Sequence, residues 1–110
     1  MTGENQTNMV VVQAMLENED AAVHMATTLV REKLVAVANV NTGIRTIYEL
    51  DGIIQLENEI ALSMQTTADK ADALVARVGE LHNYEVPSVV VLPVVAANVN
   101  FAEWVGKQVD

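Results

Sequence analysis

Two short runs, Val10-Val11-Val12 and Val89-Val90-Val91-Leu92, are apolar at every position. Alternate residues of a strand face opposite sides of a sheet, so a run with no polar alternation is the mark of a strand covered on both faces. A chain of 110 residues has room for one domain with a modest core. Once helices cover one face of its sheet, only a terminal helix or another copy of the chain is left to cover the other. The residue usage points the same way, with 51% hydrophobic against 4% aromatic residues, an aliphatic excess beyond what one small core hides. Self-association is therefore expected from the residues alone.

The order of elements follows from periodicity. Met9 to Met15 reads as a strand. Ala22, Met25, Ala26, Leu29, Val30 and Lys33/Leu34 then recur at helical spacing, with Asn18 as N-cap and His24 off the apolar face. Val35 to Leu50 and Ile53 to Thr67 form a strand pair around Asp51-Gly52, a dipeptide suited to a type I′ turn. That turn sets Leu50 opposite Ile53, Tyr48 opposite Gln55 and Ile47 opposite Leu56, and Asn41-Thr42-Gly43 predicts a bulge. Leu56, Ile60, Leu62 and Met64 share one face; Glu57, Glu59, Ala61, Ser63 and Gln65 share the other.

A second helix is expected from Thr66/Thr67, with Thr66 and Asp69 as a capping box and Ala71, Leu74, Val75, Val78 and Leu81/His82 as its buried stripe. Ser88 to Val95 reads as the last strand. A short helix follows, capped by Asn100 with Glu103, and presents Phe101, Trp104 and Val105 as its apolar face. The sequence β-α-β-β-α-β-α gives an α+β, ferredoxin-like split βαβ fold over residues 9–110, preceded by a disordered polar tail over residues 1–8.

Charge narrows the partners. Fifteen acidic and six basic residues give a net charge of −9, which disfavours nucleic acid and anionic lipid. No apolar run approaches the roughly 20 residues that cross a bilayer, and the polar start lacks a signal-peptide core, so a cytoplasmic location is expected. With no cysteine, disulfides and thiolate metal sites are excluded. No nucleophile constellation and no phosphate-binding glycine loop is present, so no enzymatic activity is expected. Met9, Met15, Met25 and Met64 fall on core positions and read as packing. Glu57 and Glu59, side by side on one strand face, could hold a hard cation; pairing of Glu59 with Arg45 is the plainer reading.

Glu80-Leu81-His82-Asn83-Tyr84-Glu85-Val86-Pro87, leading into Val90-Val91-Leu92-Pro93-Val94, resembles the signature of the CutA divalent-cation tolerance family. The likeness extends to Lys33-Leu34-Val35-Ala36, Asn39, Thr46-Ile47-Tyr48, Gly52, Glu59, Thr66-Thr67 and the Phe101 to Trp104 pair. The resemblance implies a homotrimer in which the hairpin and the final helix pack across subunit boundaries. It also implies association with copper and other divalent cations. In some bacterial members the proposed copper ligands are a Cys on the first strand and adjacent His residues after the second helix.

Here Ala14 and Val37 stand at the Cys positions, Leu81 beside His82 in the His pair, and Gln65 in place of a Lys. Glu49, Leu50 and Ile53 likewise replace two aromatics and a Lys. A degenerate copper site is the consequence. The resemblance sets the candidate ligand-binding residues in an intersubunit cleft: Tyr48, Glu59, Gln65, Tyr84, Glu85 and Trp104. His82 is the candidate metal ligand, with capping or interface hydrogen bonding as its structural alternative. The expected function is binding of a small ligand or a weakly held divalent cation, with no cofactor required. The alternative is a PII-like signalling or protein-interaction trimer that binds no metal.

Overall fold

A computed structural model describes residues 7–110. Its elements are β1 (Met9–Leu16), α1 (Glu19–Arg31), β2 (Val37–Leu50), β3 (Ile53–Thr67), a 3-10 turn (Ala68–Lys70), α2 (Ala71–Leu81), β4 (Val89–Pro93) and α3 (Val99–Gln108). The four strands form one sheet in the order β2-β3-β1-β4, every neighbouring pair antiparallel. That order, with α1 and α2 as the two crossovers, is the ferredoxin-like α+β arrangement the sequence predicts.

One sheet face builds the core. Val10, Val12, Ala14 and Leu16 of β1, with Leu62 and Met64 of β3, pack against Ala22, Met25, Ala26 and Leu29 of α1 and Leu74 and Val78 of α2. α3 touches β1 and β3 through the opposite face, where its Val105 and the following Val109 are buried apart from that core. The β1 run is thus covered on both sides within one chain. β4 lies at the sheet edge, and its Val90, Val91 and Leu92 stay exposed, Leu92 at 47%.

The hairpin has the expected turn and register. Asp51 (φ 52°) and Gly52 (φ 79°) both occupy the left-handed region, as a type I′ turn requires. Leu50 pairs with Ile53, Tyr48 with Gln55 and Ile47 with Leu56. The register slips between Asn41 and Ile44, where Gly43 takes φ 78°. β1 pairs with β3 only from Ile60 to Thr67, so residues 44–59 run on as a two-stranded arm beyond the sheet. The arm carries Ile47, Leu50, Ile53, Ile54 and Leu56 in the open, Ile54 at 68%, and it stretches the molecule to 47 × 31 × 23 Å.

Four local expectations are corrected. Thr66 does not cap a helix: it is still in β3, fully buried, and its hydroxyl has no partner among the described residues. The chain turns one residue later, where the Ala68 N–H donates to the Asn8 carbonyl at 2.6 Å. α3 is capped by Asn98 rather than Asn100, because Asn98 Oδ1 accepts the Phe101 N–H at 3.0 Å and fixes the first turn two residues earlier. Val30 and Lys33 leave the buried stripe, since α1 stops at Arg31 and Lys33 turns to φ 61°.

Finally, β4 runs only from Val89 to Pro93, so Ser88, Val94 and Val95 fall outside the strand, although the Val94 N–H still donates to the Met9 carbonyl at 3.1 Å. Residues 1–6 of the expected tail lie outside the described residues. Thr7 and Asn8 are anchored instead: Thr7 Oγ1 donates to the Val94 carbonyl at 2.9 Å and accepts the Met9 N–H at 3.1 Å.

Candidate functional site

Where β1 ends, the segment from His82 to Ser88 crosses from α2 to β4 and meets the base of the hairpin arm. His82 closes α2 through its backbone N–H to the Val78 carbonyl at 2.9 Å. Its ring is engaged at both nitrogens: Nε2 lies 2.6 Å from the Met15 carbonyl oxygen, and Nδ1 accepts the Tyr84 N–H at 3.1 Å. The two rings lie 4.5 Å apart. Tyr84 then reaches the arm, its phenol donating to Glu59 Oε2 at 3.4 Å.

Glu59 is a buried carboxylate, 8% exposed, with no cationic partner among the described residues. Two positions away on the same strand face, Glu57 accepts the Tyr48 phenol at 2.8 Å. Both phenols are thereby held above their ordinary pKa of 10.0. For Tyr48 the hydrogen bond to Glu57 dominates; for Tyr84 it is burial first, then the charges of Glu59 and Glu17. The result is an acidic face on the arm, each carboxylate capped by a tyrosine.

Beneath the His82–Tyr84 segment lies a cavity of about 130 Å³. Leu16, Met25 and Leu81 contribute apolar wall, and Glu17, His24 and Tyr84 polar wall. Asn83 Nδ2 donates to Glu17 Oε1 at 3.2 Å and fastens one rim. A shallower groove of about 430 Å³ runs between α1 and β2, where the displaced Val30 is found with Ala26, Val37 and Ala38.

The structure gathers some of the predicted residues and separates others. Tyr48, Glu59, His82 and Tyr84 belong to the arm and its base. Glu85 follows Tyr84 as an exposed side chain. Gln65 shares the Glu59 face of β3 but stands six residues along it, roughly 20 Å away; its Oε1 is buried without a partner among the described residues. Trp104 stacks on Phe101 at 6.0 Å and 19°, still 43% exposed, on α3. The expected Arg45–Glu59 pair does not form, because the register sets Arg45 opposite Asn58, on the other strand face. The ion pairs among the described residues are those of Arg77 with Glu32 (2.7 Å) and Glu80 (3.5 Å).

Sequence reasoning missed the Tyr48–Glu57 bond, although the register contained it: with Tyr48 opposite Gln55, Glu57 is its diagonal neighbour. It also missed that Glu17, His24 and Asn83 share a cavity, which no local pattern signals.

The donor set does not fit a tight copper or zinc site within one chain. Cysteine is absent, and among the described residues no three or more His, Asp or Glu side chains are disposed to hold a metal ion.

An antiparallel ferredoxin-like sheet, a hairpin arm projecting beyond it and a terminal helix define the class of the fold, a small α+β domain. The particular family comes from comparison. Residues 10–108 match the family model described as CutA1 divalent ion tolerance protein. The chain is 34% identical over 94 residues to the divalent-cation tolerance protein CutA of Thermus thermophilus, covering 86% of this chain and 91% of that one. It is also 34% identical over 95 residues to a chloroplastic CutA of Oryza sativa, covering 86% of this chain, and it spans about half the length of that plant relative (54%).

Among solved structures, CutA1 of Oryza sativa superimposes with a TM-score of 0.89 at 30% identity, covering 96% of each chain. The Thermus thermophilus protein superimposes at 0.87 and 32%, covering 91% of this chain and 97% of that one. The chain belongs to the CutA1 divalent ion tolerance family.

Proposed function

We propose that this chain is a homotrimeric, non-catalytic binding protein of the CutA type. Its intersubunit clefts hold a small ligand or a weakly bound divalent cation at the tyrosine-capped acidic face of the arm. One observation carries the reading. The arm leaves Ile47, Leu50, Ile53, Ile54 and Leu56 bare and carries Glu57 and Glu59 on the same two strands. A second copy that covers the aliphatic side chains walls in the carboxylates.

Burial supplies the driving force, at about 25 cal/mol per Å² of apolar area removed from water. The family resemblance supplies the number of copies. Glu59 supplies the chemistry: a buried carboxylate whose phenol donor is 3.4 Å away has acceptor capacity left for a cation or a ligand hydroxyl. Carboxylate oxygen suits hard divalent ions, and the loss of thiolate removes the preference for Cu(I). Gln65, on the Glu59 face but roughly 20 Å along β3, Trp104 on α3 and the exposed Glu85 join the cleft through a neighbouring copy.

Isothermal titration of the assembled protein with Ca²⁺, Zn²⁺ and Cu²⁺ tests the proposal. Weak binding that Glu59→Gln reduces at least about tenfold, a difference of about 1.4 kcal/mol, is the expected result. No heat with any of the three ions, or equal binding by the variant, overturns the cation reading.

A further inference from the structure

We infer that His82 is a positioning residue rather than a metal ligand: in its neutral Nε2–H form it pins the 82–88 segment to β1 and aims the Tyr84 phenol at Glu59. The hydrogen-bond network leaves one protonation pattern that satisfies both nitrogens. The Tyr84 N–H points at Nδ1 from 3.1 Å, so Nδ1 carries the lone pair. The Met15 carbonyl lies 2.6 Å from Nε2, so Nε2 carries the proton and donates. The opposite tautomer sets two N–H groups against each other at one nitrogen and two lone pairs at the other.

A metal ion needs a ring lone pair. Nε2 has none in this form, and the one on Nδ1 is taken by a backbone N–H two residues ahead. That contact reproduces, with an imidazole, the side-chain-to-backbone bond by which Asn or Asp fixes an Asx-turn. Its consequence is directional. With the backbone of Tyr84 fixed and its ring 4.5 Å from the imidazole, the phenol is delivered across to Glu59 Oε2 on the arm. His82 thus ties the end of α2 to the end of β1 directly and, through Tyr84, to the arm. Its functional meaning rests on the reading of Glu59 as a cleft residue; the geometry does not.

The test uses the whole protein, labelled with ¹⁵N-histidine, with no cation added at first. Long-range ¹H–¹⁵N correlation is expected to show the Nε2–H pattern for His82, and Zn²⁺ added in excess leaves both its nitrogens unmoved. The exposed His24 is the internal control for nonspecific binding. An Nδ1–H pattern, or a Zn²⁺-dependent shift of His82 Nδ1, overturns the inference.

Amide exchange gives the second readout. His82→Ala is expected to speed exchange of the Tyr84 N–H at least about tenfold. His82→Asn restores it to within about threefold, because Oδ1 accepts the same N–H. Equal exchange in wild type and His82→Ala overturns the inference. Should His82→Ala fail to fold, the wild-type tautomer and its Zn²⁺ response decide the matter alone. The tautomer and the exchange rates are read with no cation added, and the Zn²⁺ arm asks only about His82, so loss of the cation reading at Glu59 leaves them standing.

Discussion

Gly52 shows how one residue fixes a long-range feature. At φ 79° with open space around a would-be Cβ, it is held there by backbone conformation alone. Gly52→Val is therefore expected to cost about 1–2 kcal/mol through left-handed strain, with no clash to relax. Urea unfolding checks the figure, and an unchanged midpoint contradicts it. The tyrosines make a second residue-scale case. Each folded phenol is raised above 10.0, so the neutral, donating form is the one that folding favours. The stabilisation from Tyr48 and Tyr84 is then fully present at and below the unfolded phenol value and is lost as pH rises through the folded one. An absorbance titration should find both ionising above pH 10.0, Tyr48 reverting toward that value in Glu57→Gln. A Tyr48 that ionises alike in both proteins would contradict the assigned cause.

At the scale of elements, the sequence was readable wherever a local rule had a single solution. Asp51-Gly52 admits one tight hairpin turn, and that turn dictates every pairing as far as the bulge at Asn41/Ile44. The α1 cap at Asn18, the α1 stripe as far as Leu29 and the α2 stripe are equally determined by spacing. Errors arose where two neighbours offered the same chemistry. Thr66 and Asn100 are good cap residues by type, yet Thr66 is held in β3 opposite Val10, and Asn98 reaches the open N–H groups first. Of the candidate residues, Glu59, Tyr84 and His82, which the family resemblance singles out, are the ones the structure brings into contact. Their mutual contacts depend on where the 82–88 segment crosses, which no periodicity records.

Two predictions belong here. Asn98→Ala should cost about 0.5–2 kcal/mol by removing the α3 cap, whereas Asn100→Ala should fall within about 0.5 kcal/mol of wild type. Thermal unfolding ranks them, and the reverse order would contradict the assignment. Leu62→Ala, in the fully buried layer between β3 and the helices, should cost about 2–5 kcal/mol. A loss below about 1 kcal/mol would mean that layer is not the core.

The whole molecule is organised by an imbalance between its two ends. Around β1 the sheet is covered on both faces and closely packed. Beyond Ile60 the arm is a bare ribbon carrying five large aliphatic side chains, and an isolated two-stranded hairpin is marginally stable at best in water. A bare arm and an exposed apolar edge at β4 are aggregation liabilities unless an ordered neighbour covers them. Among the described residues no helix is long and apolar enough to cross a membrane. Ile54→Glu, on the arm, should weaken assembly while leaving the core folded.

Sedimentation equilibrium at micromolar concentration tests the central claim most directly. The account predicts one species of three times the chain's 11.9 kDa, shifting toward 11.9 kDa in Ile54→Glu. A well-folded wild-type monomer of 11.9 kDa would leave the arm without a partner and the proposed cleft without walls.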